Sequence, residues 1–129
     1  MCLTVVDKGI KPYTQGYKIF EITAHPKKLR SVYFYDTYEI GEWYYDVKSG
    51  FIQAYDGTFY KKGYHFFTSL AGARKYYLYI SVHRIYEVEV KNMVASGRQT
   101  LKNWREHSLT GRSYPVGVAR AMRIIRERR

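Results

Sequence analysis

The chain has 129 residues and carries 22 Lys and Arg against 11 Asp and Glu, a net charge of +11, and tyrosine, at 15, is its commonest residue. That length implies a single domain, long enough to bury a core without metal or disulfide support. The lone Cys2 excludes an intrachain disulfide and a cysteine metal cluster, which fits a reducing cytoplasm; no apolar run reaches a helical membrane span, and the first residues, MCLTVVDKGIK, do not read as a secretory leader.

Residues 1–15 hold Gly9 and Pro12, show little periodicity, and read as an arm or edge segment. Tyr17 to Ile22 is the first firm strand, with Tyr17 and Ile19 on one face and Phe20 and Ile22 on the other. Pro26 makes Ala24 to Lys28 a basic turn, and Leu29 to Tyr35 is a second strand candidate. Asp36-Thr37 breaks the pattern before Tyr38-Glu39-Ile40-Gly41 and a short strand at Glu42 to Tyr45. Phe51 to Tyr55 is a fourth strand candidate, closed by the turn dipeptide Asp56-Gly57.

The run from Lys61 to Ile80 reads as a strand passing directly into a helix. Tyr64-His65-Phe66-Phe67 suits a pleated, half-buried surface. Thr68 and Ser69 are N-cap types, and Leu70, Ala73 and Tyr77 share a helical face opposite Arg74 and Lys75, which predicts a helix over about 69–79. Gly72 inside it implies close packing on the sheet. Val82 to Val90 is the clearest strand, and Val94 to Gly97 a short pairing segment. Residues 98–115, with Arg98, Lys102, Arg105, His107, Gly111, Arg112 and Pro115, read as a long basic loop with a turn of helix near Leu101 to Glu106. Val116 to Arg129 fits a strand or a helix, and Ile124-Ile125 with Gly117 favours the strand. The expected fold is α+β, a single domain with a mainly antiparallel twisted sheet and one principal helix.

His25, His65, His83 and His107 are dispersed, without the spacing of metal ligands, although His65 and His83 could meet across neighbouring strands. No nucleophile elbow or Gly-rich phosphate loop is present. The chemistry that stands out is electrostatic. Basic groups occur at Lys27, Lys28 and Arg30, at Lys61, Lys62, Arg74 and Lys75, and from Arg98 through Arg112, Arg120, Arg123, Arg126 and Arg128 to Arg129. Arginine forks match phosphate or carboxylate oxygens, while Tyr60, Tyr64, Tyr76 and Tyr77 are rings able to stack on bases.

The series MCL, Gly16-Tyr17-Lys18, Tyr38-Glu39-Ile40-Gly41, Gly63 to Phe67, Ala71 or Ala73, Tyr86 to Val90, Gly97 and ARAMRII resembles a group of short proteins of gut bacteria and their phages. The resemblance covers most of the chain and implies a common fold and a phage origin, without an activity. The layout of the strand and helix in GYHFFTSLAGARKYY also resembles that of ADP-ribosyltransferases. That likeness implies NAD as cofactor, His65 in the place of a nicotinamide-holding tyrosine, Lys18 on the early strand, and Glu87, Glu89 or Glu127 as the catalytic glutamate.

Three readings follow. The first is a non-catalytic basic module, with no cofactor, that binds an anionic partner: a nucleotide, a nucleic acid or a protein groove that holds one. Its expected binding residues are Lys61, Lys62, Tyr64, Arg74, Lys75, Arg98, Arg112, Arg120, Arg123 and Arg126, and a phage origin would make it an anti-CRISPR-like inhibitor of host defence. The second is an NAD-dependent transferase. The third is a structural protein whose tyrosines form a homo-oligomer interface.

Overall fold

The computed structural model describes residues 3–24, 28–31, 36–76, 83–103 and 108–128, with side chains given except at 101–103 and 108–111. The strands are β1 (Val5–Val6), β2 (Gln15–Ile22), β3 (Lys28–Ser31), β4 (Thr37–Glu39), β5 (Trp43–Tyr45), β6 (Phe51–Gln53), β7 (Phe59–Lys61), β8 (Tyr64–Phe67), β9 (His83–Asn103) and β10 (Ser108–Arg128), and the helix α1 is Leu70–Tyr76. The main sheet is antiparallel throughout, in the order β1-β9-β10-β8-β2-β3-β4, with β5 on β10 and an additional β9–β2 pairing. That extra pairing closes a ring, β2 to β9 to β10 to β8 and back to β2, completed by the single bridge Tyr17↔Phe67. A closed ring leaves few open ladder edges at its centre.

Sequence neighbours go to opposite hydrophobic clusters. Ile19, Phe67, Ile85, Val116 and Val118 join one; Phe20, Phe66, Tyr86, Val88, Ala119, Met122 and Ile124 join the other. The sheet is therefore covered on both faces where β2, β8, β9 and β10 meet, as the period-two side-chain alternation of strands requires. Phe66, 1% exposed, sits in the second cluster. Gly16 on β2 and Gly117 on β10 lie against it, and a Cβ at either position would collide with the ring.

The expected strand-to-helix unit is present. Ser69 Oγ accepts from Gly72 N at 3.1 Å and caps α1. Ala73 is fully buried while Arg74 and Lys75 face solvent, and Gly72 packs against Phe67 and Tyr114. The expected helical residues 77–79, Tyr77 included, lie outside the described residues. The Asp56-Gly57 turn also forms, with Gly57 at φ +88° and Asp56 Oδ1 accepting from Thr58 N at 2.9 Å. Asp56 Oδ2 accepts from Val6 N at 3.1 Å, which ties the β6–β7 ribbon to the edge strand β1 formed by the expected N-terminal arm.

Three expectations need correction. With one seven-residue helix beside ten strands among the described residues, the domain is more β-rich than α+β suggests. Residues 98–115 are not a loop: 98–103 belong to β9 and 108–115 to β10, and the two 21-residue strands form one long hairpin. The physical reason is that pairing spreads outward from the buried segments, so ladder bonds overrule weak local preference. Arg98 reinforces the ribbon by donating to Ser113 Oγ at 2.7 Å and to Ser113 O at 2.8 Å. The expected helical turn is strand over 101–103, and 104–107 lie outside the described residues. Finally, His65 and His83 do not meet: His65 is registered with Val118 and His83 with Glu21. The strand expected for Val116 to Arg129 is present through Arg128.

Candidate functional site

Residues of β2 and β8, with others from the β4, β5 and β6 regions and α1, line a half-open cavity of about 750 Å³. Its wall draws on Tyr17, Lys18 and Ile19 of β2, Asp36 to Tyr38 at β4, Tyr44 to Lys48 in and after β5, Ile52 of β6, Lys62 to His65 and Phe67 at β8, and Tyr76 of α1. Six tyrosines are therefore brought to one space with Lys18, Lys48, Lys62, Asp36 and Asp46. The volume is in the range of small-molecule sites, roughly 300–1,000 Å³, and the mixture of aromatic wall and few polar groups is typical of them.

Each polar group is held by identifiable contacts. Lys18 Nζ donates to the His65 carbonyl oxygen at 2.7 Å. Removal from water lowers this amine to about 8. His65 is itself buried, and burial first, with the Lys18 charge second, drops its imidazole to about 3. A relay fixes the ring: Leu3 N donates to Tyr60 Oη at 3.0 Å, Tyr60 Oη lies 3.0 Å from His65 Nε2, and the ring also bonds the Gly63 backbone. The Gly63 bond favours the protonated ring and is therefore one that the ring donates, so in the neutral imidazole the other nitrogen, Nε2, accepts the Tyr60 proton.

Tyr38 stacks edge-on against Tyr44 at 4.8 Å and against Tyr64 at 6.1 Å between ring centroids. Burial, then the neighbouring Tyr64 and Asp36, push the Tyr38 phenol upward, and burial with Asp46 pushes Tyr64 to about 12. Both hydroxyls therefore stay protonated at neutral pH. Tyr44 Oη accepts from Glu39 N at 2.6 Å, and Lys48 N donates to Asp46 Oδ1 at 2.9 Å. Arg120 on β10 donates to the carbonyls of both Lys48 and Lys62 at 2.8 Å, which brace the two lysine-bearing segments.

Of the residues expected to bind, Lys62 and Tyr64 line the cavity and Arg120 supports it from behind. Lys61, Arg74, Lys75, Arg98 and Arg112 are exposed and do not line the cavity. Arg98 bonds Ser113 beside Arg112, and α1 packs on Tyr114 through Gly72, whereas Arg112 and Arg126 stand fourteen positions apart on one strand, up to roughly 45 Å. The C-terminal arginines are engaged by this chain's own acids. Arg123 donates to both Glu89 oxygens at 2.9 Å, Arg126 pairs with Glu87 at 2.7 Å, Arg128 lies 3.9 Å from Glu87, and Arg84 lies 3.7 Å from Glu127. Arg123 and Lys91 also lie over Trp43, 5.1 and 4.2 Å from the ring centroid. Arg30 is held by Glu21 at 2.6 Å, while Lys27, Tyr77 and Arg129 lie outside the described residues.

Tyr60, expected as a stacking ring, is buried in the His65 relay instead; Tyr76 does reach the cavity. For the transferase layout, His65 contributes to the cavity wall, but its ring is engaged by Tyr60 and Gly63. Glu87 and Glu89 bond to arginines of β10 and do not line the cavity. Sequence reasoning missed Lys48, Tyr17, Tyr38, Tyr44, Asp36 and Asp46 as cavity residues, and read Lys18 only as a stand-in on the transferase layout. Their shared signal, polar residues interleaved with tyrosines in and beside short strands, is spread over three segments.

Among the described residues no group of three His, Cys, Asp or Glu is placed to hold a metal ion, and no helix is long and apolar enough to cross a membrane. Comparison with protein-family models, with curated proteins and with solved structures returned no match.

Proposed function

We propose that the protein is a non-catalytic binding module for a nucleotide-sized anion with a planar ring system, held in the tyrosine-lined cavity. The observation that supports this reading is the convergence of six tyrosines with Lys18, Lys48 and Lys62 on one 750 Å³ space. Tyrosine faces stack on a base, lysine ammonium groups hold phosphate oxygens, and Asp36 and Asp46 accept from the amino groups of a purine. The nucleic-acid form of the expectation has weaker support, because the C-terminal arginines that would track a phosphate backbone already hold Glu87 and Glu89. On the resemblance to phage proteins, capture of such a ligand would remove a signal from a host defence system.

Calorimetric titration with nucleoside mono-, di- and triphosphates at two salt concentrations tests the reading. Saturable binding that weakens with salt and is lost on Tyr64→Ala is the expected result; the absence of heat for every nucleotide would end it. A second reading, the oligomeric protein, is favoured by Phe51 and Phe59, which are 61% and 63% exposed on the β6–β7 ribbon. Light scattering that gives a monomer at all concentrations would remove that alternative.

A further inference from the structure

We propose that Lys18 is a nucleophilic amine that condenses with the carbonyl group of a planar, anionic aldehyde bound in the cavity. The inference uses the cavity already described but does not require that a nucleotide bind there. Three observations carry it. Lys18 lines the 750 Å³ cavity. Its amine donates to the His65 carbonyl oxygen at 2.7 Å, and among the described residues no carboxylate lies within ion-pair distance of it. The tyrosine rings that line the cavity offer faces for a planar aldehyde, while Lys48 and Lys62 in the same lining match an anionic substituent.

Desolvation of the amine adds to this. A fall to about 8 from the ordinary 10.5 raises the neutral fraction at pH 7 by roughly 300-fold. The one donated hydrogen bond orients Nζ while its lone pair stays available. In the reaction that lone pair attacks the carbonyl carbon, the carbonyl π pair moves to oxygen, and one of the two amine protons transfers from nitrogen to that oxygen. The resulting carbinolamine loses the remaining nitrogen proton and its hydroxyl as water, leaving a C=N bond. No atom changes oxidation state in sum, and water is the only product besides the imine.

The test uses pyridoxal 5′-phosphate as the probe, at one equivalent, with the full chain. Cyanoborohydride reduction followed by peptide mapping locates the trapped amines. Lys18 is expected to be labelled at least ~10-fold faster than the exposed Lys8, Lys61 and Lys75, with that label lost in Lys18→Met. Labelling of Lys18 no faster than of those exposed lysines would overturn the proposal, and this wild-type comparison stands even where the variant does not fold. Adding excess AMP separates the two readings. Fast labelling that AMP does not slow supports the reactive lysine and counts against nucleotide binding; slow labelling in a protein that binds AMP overturns the reactive lysine alone.

Discussion

Acidification tests the buried relay beneath the cavity. His65 is 7% exposed, and its imidazole is lowered from 6.5 to about 3, chiefly by burial and then by the charge of Lys18. The folded state therefore holds this ring neutral over a range in which the unfolded chain protonates it. With a depressed folded value, its contribution to stability is complete above pH 6.5 and is lost as pH falls toward about 3. Between pH 7 and 5 the unfolded ring goes from mostly neutral to mostly protonated, a partition ratio of roughly 25, or roughly 2 kcal/mol. Lys18 does not interfere, because its lowered amine changes stability only between about 8 and 10.5, where stability rises with pH. Urea unfolding of the wild type and of His65→Gln at both pH values isolates the effect, since every other residue is common to the two proteins. The wild type should lose roughly 2 kcal/mol more than the variant on going to pH 5. Equal losses in the two proteins would refute the buried neutral ring.

Two further perturbations bear on the frame and the surface. Gly117→Ala forces a methyl into the Phe66 ring, so it should destabilise by about 1–3 kcal/mol in urea, and shortening Phe66 to Leu in the same chain should restore part of the loss. Arg126→Ala removes an exposed ion pair with Glu87; stability should change by no more than ~0.5 kcal/mol and nucleotide affinity by less than ~2-fold, whereas a tail that held phosphate would lose binding strongly.

The strands that carry their own alternation were legible in the amino-acid order. Ile19 and Phe20 divide between the two clusters as expected, Ser69 caps α1, and His83 to Val90 are paired throughout. Residues 98–115 were not, because Gly111 and Pro115 punctuate them locally while their structure comes from a partner strand. The cavity was legible only in its chemistry. A tyrosine-rich, basic composition pointed toward stacking and anion contact, yet it directed attention to the dense arginines near the C-terminus. Registers of β9 with β10 place Glu87 and Glu89 beside those arginines, and that neutralisation depends on pairing rather than on sequence proximity. Lys18 stood out even less. Nothing in Gly16-Tyr17-Lys18 indicates that the amine will reach the carbonyl of His65, 47 positions away.

The most direct test of the cavity as a ligand site is backbone amide chemical-shift mapping of the isotope-labelled protein titrated with AMP and ATP. The account predicts saturable shifts concentrated at Tyr17, Lys18, Tyr38, Asp46, Lys62 and Tyr64, with residues 123–128 of β10 unmoved. Shifts confined to the C-terminal arginines, or none at millimolar nucleotide, would contradict it.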